Sequence, residues 1–465
     1  MSPSARRVPS AVFPATSIPT ESWARVFVWA IVIIFAAGMV VGFQASLAAL
    51  TILGFGAAVA GVVQPQLGVL GVGILCTLDP LTRVFLLTGG VWRWNGLSYW
   101  LLVVIVLFLP STLRRRDVHT SILWLLLAVL TIGLAISPDP ASGIQHLLEI
   151  VSVLGLLVYY CRAWDGRASY YRAGMVCGTL SAVGSLAFLM QESTLPYINP
   201  NALVFFPLTG LFAICLGYPS EDLHFRRQGR YVVLAASNLV AVFLSGSRGG
   251  MLMGLGCALF LLLAQRSLRR GIVILMMVGL LGFGASVQFT QLQQGAMWKI
   301  HKMLNQSYSL TDRTNGRFDL ALAALQLFGR QPLGVGTGGF AARWKDLSEV
   351  PGVTNFRPGR RTQAHSAWAK TLAENGAPGI VLLGCYVASF AVAGLRRTDR
   401  DKRMLGVLTT VVLAVAFLTT EFQDKGLWML VAGVTVLLQP TAALPRRSRW
   451  AVGEPVPVAP VGQAW

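Results

Sequence analysis

The sequence predicts an all-α, polytopic transmembrane helical bundle. Of its 465 residues, 54% are hydrophobic and only 12% are charged, and the mean hydropathy is +0.62. These values lie far from those of soluble globular domains. Runs of about 20 apolar residues recur along the chain, which is the length that a helix needs to cross a ~30 Å hydrocarbon core. The alternating segments of about ten residues that build a transmembrane β-barrel are absent from the sequence.

The N-terminal part is expected to hold a tail and about eleven membrane spans. Residues 1–22, rich in Ser, Pro and Thr, are predicted to be a disordered cytoplasmic tail. No cleavable signal peptide is expected, because the run at 23–43 lacks a small-residue cleavage site and is long enough to remain as a helix. Further apolar runs before residue 290 lie at about 46–64, 67–90, 96–111, 120–136, 144–161, 173–190, 201–218, 231–245, 250–265 and 271–289.

The C-terminal part repeats this pattern after one long polar segment, residues 290–376. Three more spans are predicted within 377–439, at 377–395, 404–420 and 426–439, followed by a flexible cytoplasmic tail at 440–465. The first two spans of the chain are joined by only a couple of residues, and 67–90 is interrupted by Asp79-Pro80. The sequence therefore predicts about 12–14 spans in all.

Orientation follows from the distribution of Lys and Arg, which accumulate in cytoplasmic loops. Basic residues cluster at 6–7, 114–116, 162–172, 226–230, 266–270, 396–403 and 446–449. Alternation places both termini in the cytoplasm, and the long segment and the turn at 245–250 on the outer face. Since most of the net charge of +19 lies in these short loops, it encodes topology, and nucleic acid is not an expected partner.

The polar segment 290–376 is predicted to fold into helices. Residues 317–328 are rich in strong helix formers. The glycine-rich run 333–340 predicts an irregular turn, and a second helix is expected over about 364–374, ended by Asn375-Gly376. Gly334-x-Gly336-x-x-Gly339 matches a dinucleotide fingerprint in form. It follows a helix and lacks a βαβ unit, so a tight turn is the better interpretation.

The candidate functional residues are arginines and one histidine. The segment holds eleven Lys and Arg against five Asp and Glu, although outward loops usually carry few basic residues. A solvated basic face is one explanation, and a pocket for a phosphate-bearing lipid is the other. Arg248, at the outer end of a span among Ser and Gly residues, either binds a ligand that the backbone can approach closely or snorkels. His365 is either a general base or a packing residue.

Metal and cofactor chemistry is not expected. The six cysteines lie in or beside apolar runs, none of them in the polar segment. The five histidines include no pair with zinc-ligand spacing, and the polar segment lacks a clustered Asp motif for Mg²⁺. Asp79 and Arg83, one helical turn apart within a span, are interpreted as a structural ion pair, with a functional role as the alternative because charges inside a membrane span are functional candidates.

Five short motifs occur in a distinctive order. They are Ser245-Gly246-Ser247-Arg248, Asn315-Gly316-Arg317, the run from Arg330-Gln331-Pro332 to Gly338-Gly339-Phe340, His365-Ser366-Ala367-Trp368, and Leu372-Ala373-Glu374-Asn375-Gly376-Ala377-Pro378-Gly379. Over about 245–380 the chain resembles the O-antigen ligase and O-antigen polymerase superfamily of bacterial polytopic membrane glycosyltransferases.

The resemblance implies a GT-C-like bundle and a metal-independent, inverting transfer from an undecaprenyl-diphosphate-linked glycan. In this comparison Arg248 and Arg317 match the paired arginines that bind the diphosphate, and His365 matches the general base. Arg343, Arg360 and Arg361 are further candidates for substrate binding. Ser366 stands where many members have Asn, which leaves the subgroup open.

The leading hypothesis is therefore an O-antigen ligase-like enzyme that transfers the glycan to lipid A–core at the periplasmic face of the inner membrane. A polymerase of the same superfamily, with a lipid-linked glycan as acceptor, is the alternative. A sugar or lipid transporter is a second alternative. It predicts a midplane site in broken helices and little role for the polar segment.

Overall fold

A computed structural model of the chain describes residues 118–163, 176–183, 204–217, 225–245, 247–264, 309, 314, 316–344, 346–347, 364–420 and 425–438. In these ranges the regular structure is helical throughout, as predicted. The helices are α1 (Val118–Ala135), α2 (Pro140–Ala163), α3 (Phe205–Gly217), α4 (Phe225–Leu244), α5 (Arg248–Ala264), α6 (Arg317–Arg330), α7 (Phe340–Trp344), α8 (Ala367–Leu395), α9 (Arg400–Thr419) and α10 (Lys425–Leu437).

Four helices of the described ranges are long and apolar enough to cross a membrane. They lie at Val118–Ala135, Pro140–Leu157, Ala367–Leu395 and Arg400–Thr419. They agree with the predicted spans at 120–136, 144–161, 377–395 and 404–420. The tails 1–22 and 440–465, the spans before residue 118, the pair Asp79 and Arg83, and the span at 271–289 lie outside the described residues. The total of 12–14 spans stays a prediction.

Among the described helices, α8 packs against both α1 and α9. Near the end of α8, Ser389 Oγ lies 2.7 Å from Nδ1 of His119 in the first turn of α1, and Phe390 stacks on the same imidazole. Further up, an added Cβ on Gly133, near the end of α1, would lie 2.9 Å from the Asn375 amide nitrogen of α8. The two helices therefore run antiparallel.

The backbone of α8 breaks at Gly376, where φ is 58° and ψ is −149°. The sequence predicts an end to the helix at Asn375-Gly376, and the structure confirms a break at that place. The part before the break belongs to the polar segment. The part after it is the apolar span, so the break at Gly376 separates the polar segment from the span.

The described part of the polar segment has a small hydrophobic core of its own. Its buried members come from α6, the glycine-rich run, α7 and the start of α8: Leu320, Ala323, Ala324, Leu327, Val335, Phe340, Trp344, Leu347, Ala364, Ala369 and Ala373. The helix predicted at 317–328 is two residues longer in the structure, at Arg317–Arg330. The described part of the segment therefore packs on the start of α8 around a shared core.

Candidate functional site

The three central candidates all stand where a helix begins. Arg248 is the first residue of α5, Arg317 is the first residue of α6, and His365 lies just ahead of α8, which begins at Ala367. The start of a helix presents main-chain N–H groups without intrahelical partners and the positive end of the helix dipole. Each candidate is therefore placed where an anion is stabilised.

Close packing of two glycines fixes the start of α5. A Cβ added to Gly249 would lie 2.5 Å from Cγ2 of Thr419, at the end of α9, and one added to Gly250 would collide with Val204. Ser247 Oγ accepts a 3.3 Å hydrogen bond from the Gly250 N–H. The expectation that these glycines let a ligand approach the backbone is wrong, because protein atoms fill the space beside them.

A left-handed turn at His365 precedes α8. Its φ is 50°, which is uncommon for a residue other than glycine. The neighbouring Ala364 and Ser366 are buried, whereas His365 is exposed. Ser366 caps α8 by accepting a hydrogen bond from the Ala369 N–H, and its hydroxyl donates to the Phe417 carbonyl of α9 at 2.9 Å. The turn therefore buries the residues on either side of His365 and leaves its imidazole on the surface.

The end of α9 links Arg248 to His365. Thr419 contacts Gly249 of α5, and the carbonyl of Thr420 accepts a 2.9 Å hydrogen bond from the Ala367 N–H. The starts of α5 and α8 therefore meet the same helix end. Arg248 and His365 therefore lie at the same end of the helices α5, α8 and α9.

The charge of Arg317 is within electrostatic range of the charge of Arg248. Burial lowers the pKa of the Arg317 guanidinium, and the positive charge of Arg248 lowers the pKa further. Gly316, with a φ of 77°, precedes α6, and Thr314 Oγ1 accepts a 3.1 Å hydrogen bond from the Phe318 N–H. Two guanidinium groups that repel each other at a partly buried place would be stabilised by an anion between them.

The other arginine candidates are less informative. Arg343 of α7 forms a 3.5 Å ion pair with Asp346, and both side chains are exposed. Such a surface pair contributes little to stability and leaves the arginine accessible. Arg360 and Arg361 lie outside the described residues. The substrate-binding role of all three stays a prediction.

No metal cluster is evident in the part of the chain that the structure describes. Within it, no group of three or more His, Cys, Asp and Glu side chains is arranged to hold an ion. Metal-independent chemistry remains a prediction from the resemblance.

The glycine-rich run packs against protein on every side that its glycines face. Gly334, Gly336 and Gly338 have φ values of 95°, 98° and 84°. A Cβ on Gly336 would lie 2.7 Å from the Ser137 Cα in the turn between α1 and α2, and one on Gly338 would lie 2.7 Å from the Gly143 Cα. The run is a tight turn, as predicted. It packs against the turn between α1 and α2 and against the first residues of α2.

A buried polar network that the sequence argument missed holds this turn in place. Thr337 Oγ1 donates to the Leu130 carbonyl at 2.7 Å and accepts from the Asn375 amide at 2.8 Å. The Glu374 carboxylate accepts main-chain hydrogen bonds from Gly338 and Phe340. The sequence offered Asn375 only as part of a helix end and Glu374 only as part of the last of the five motifs, and neither signal indicates these hydrogen bonds.

A comparison with known protein families finds a match in the part of the chain that holds these residues. Residues 232–384 match the family model described as O-antigen ligase. The match begins in α4, ends in α8 beyond the break, and includes Arg248, Arg317 and His365. No curated protein matches the chain.

Proposed function

Because residues 232–384 match the family model described as O-antigen ligase, we propose that the chain is an O-antigen ligase-like glycosyltransferase. In this proposal it transfers a glycan from undecaprenyl diphosphate to lipid A–core. The observation that carries the proposal is the grouping of two arginines and an exposed histidine, each at the start of a different helix. That grouping offers an anion site beside a base.

Arg248 and Arg317 are proposed to bind the diphosphate of the donor. Each guanidinium presents a planar set of donors that suits phosphate oxygens. The diphosphate carries the negative charge that offsets the repulsion between the two arginines. As the glycosidic bond breaks, charge grows on the diphosphate, so the same contacts strengthen toward the transition state.

His365 is proposed to act as the general base. The acceptor hydroxyl oxygen attacks the anomeric carbon from the face opposite the diphosphate, and its proton passes to the imidazole. The bond between the anomeric carbon and the diphosphate oxygen breaks, and its electron pair leaves with undecaprenyl diphosphate. Attack from the opposite face inverts the anomeric configuration. Because the arginines supply the positive charge, the proposed reaction requires no metal or cofactor.

The proposed location is the bacterial inner membrane, with both termini in the cytoplasm and the active site on the periplasmic face. The distribution of basic residues supports this orientation. The polar part of α8 before Gly376 and the apolar span after it support a site at the membrane surface. A lipid-linked donor anchored among the membrane lipids would reach a site at that level.

Reconstitution of the purified protein in liposomes tests the proposal. The liposomes would contain a polyprenyl-diphosphate-linked glycan and either lipid A–core or a second lipid-linked glycan as acceptor, with His365→Ala as the inactive control. A glycosylated lipid A–core is the expected product. Elongation of the lipid-linked glycan alone identifies a polymerase. Movement of the glycan across the bilayer without a new glycosidic bond overturns the enzyme proposal in favour of transport.

A further inference from the structure

The Glu374 carboxylate joins three parts of the chain. It is 2% exposed, Oε2 accepts a 2.8 Å hydrogen bond from the Gly338 N–H, and Oε1 accepts a 3.2 Å hydrogen bond from the Phe340 N–H. Nδ1 of His146, a buried residue of α2, lies 3.4 Å from Oε2. A carboxylate is seldom buried so completely without a specific partner. Here it binds both the end of the glycine-rich run and the start of α7.

Main-chain hydrogen bonds reinforce the same junction. The Val335 and Gly336 N–H groups donate to the carbonyls of Ala373 and Glu374, and the Ala377 N–H donates to the Pro332 carbonyl, all at 2.9 Å. The glycine-rich run follows directly from the C-terminal end of α6. The junction therefore fixes that end of α6 to α8, close to the break at Gly376.

Arg317 lies at the other end of α6. The helix has 14 residues, so Arg317 stands about 20 Å from the junction. Leu320, Ala323 and Leu327 share a core with Ala364 and Ala369, which lie toward the start of α8. From the junction, α6 thus extends along α8 toward the end where His365 stands. The junction and the candidate site are at opposite ends of one helix pair.

Because α6 is fixed at the junction, a small rotation there displaces the Arg317 end of the helix. A tilt of about 3° at the junction displaces the Arg317 end by about 1 Å over the length of the helix. A misplacement of about 1 Å in a reacting group lowers an enzymatic rate by about 100-fold. Small changes at Glu374 are therefore expected to act on the site without any direct contact with substrate.

We infer that Glu374 is a positioning residue for the glycosyl transfer, which holds α6 at the angle to α8 that aligns Arg317 with His365. The inference rests on the proposed function. Glu374→Gln tests it, because the amide keeps one oxygen acceptor and turns an NH₂ group toward the second main-chain N–H. We expect kcat to fall about 100-fold while the KM for the acceptor stays close to that of the unaltered chain. The melting temperature in detergent should fall as well, because one buried main-chain N–H loses its acceptor.

A double-mutant cycle separates positioning from general damage. The second position is Arg317→Lys, which retains the charge and a measurable rate but lacks the planar fork that depends on exact placement. If Glu374 acts through Arg317, Glu374→Gln lowers kcat no more than about 10-fold in the Arg317→Lys background. An equal 100-fold loss in both backgrounds overturns the inference. Glu149→Gln, which replaces a buried carboxylate of α2 by an amide, is the control and should retain kcat.

Two further outcomes are decisive. If Glu374→Gln does not fold, His146→Gln replaces it in the cycle, since it removes the imidazole contact and leaves both main-chain hydrogen bonds to Glu374. His146→Gln should lower kcat less than Glu374→Gln does. If this fall in kcat is smaller in the Arg317→Lys background, the inference is supported; if it is the same in both backgrounds, the inference is contradicted. Absence of transfer by the unaltered protein defeats the proposed function itself. Failure of the cycle in an active protein defeats only the role of Glu374.

Discussion

Replacement of Gly376 by alanine is the sharpest test of how the polar segment is attached to the membrane span. The residue has a φ of 58° and a ψ of −149°, close to a region that glycine alone occupies readily. An added Cβ would lie 2.5 Å from the Leu333 carbonyl carbon and 2.7 Å from the Gly334 nitrogen. These are backbone atoms, so no side-chain rotation relieves the contact.

The expected destabilisation is large for a single methyl group. An unfavourable φ,ψ combination costs about 1–3 kcal/mol, and forcing a group into a packed region costs about 1–3 kcal/mol more. We therefore expect Gly376→Ala to lower the free energy of unfolding by about 2–6 kcal/mol. The added methyl group would displace the glycine-rich run, whose main-chain N–H groups Glu374 binds, so the rate of glycosyl transfer should fall as well.

Gly384 provides a matched control on the same helix. It is helical, and an added Cβ meets no atom within 4 Å. Gly384→Ala should be neutral or stabilise the helix by up to about 1 kcal/mol. The assay is the apparent melting temperature of each purified variant in one detergent, followed by size-exclusion chromatography after heating. Equal melting temperatures for the two variants would refute the argument from Gly376.

Four other predictions concern the candidate site. His365→Ala should lower the transfer rate by about 10²–10⁴-fold without changing the melting temperature, and a retained rate excludes the general-base role. Arg317→Gln should raise the melting temperature, because it removes burial of a charge and repulsion by Arg248. Inorganic pyrophosphate at 100 times its Kd should stabilise the unaltered chain by about 2.7 kcal/mol, and the same stabilisation of Arg317→Gln would count against the diphosphate site. Transfer should continue in EDTA, and a loss that Mg²⁺ restores contradicts the metal-independent mechanism.

Local patterns in the sequence predicted the helices well. The helix at 317–328, the glycine-rich turn and the break at Asn375-Gly376 each depend on residues close together in the chain. Helix formers, glycines and the Asn-Gly pair act on the backbone within a few residues of themselves. For this reason the predicted and observed positions differ by only a few residues.

The contacts that assemble the candidate site are not local, and the sequence does not reveal them. Glu374 and Gly338 are 36 residues apart, and Thr337 and Leu130 are 207 apart. Which side chains meet over such distances depends on how the helices pack, and hydrophobic periodicity does not specify the pairs. The nearness of Arg248 to Arg317 came from family resemblance in the sequence argument, and contacts of this kind appear only in the folded chain.

The glycines beside Arg248 illustrate the same limit. A glycine pair indicates close approach of something to the backbone, and the sequence does not say what approaches. Thr419 and Val204 occupy that space in the structure. The feature that looked like an opening for a ligand is a helix contact that fixes the direction of α5.

The end of α9 also determines when the site can form during synthesis. The ribosome produces Arg248 first and His365 later. Both depend on the end of α9, because Gly249 packs against Thr419 and the Ala367 N–H donates to the Thr420 carbonyl. A nascent chain that has not yet inserted α9 therefore has neither helix start held in position. Chains are made from the N-terminus onward, so the arginine and the histidine come together only after α9 has been synthesised and inserted.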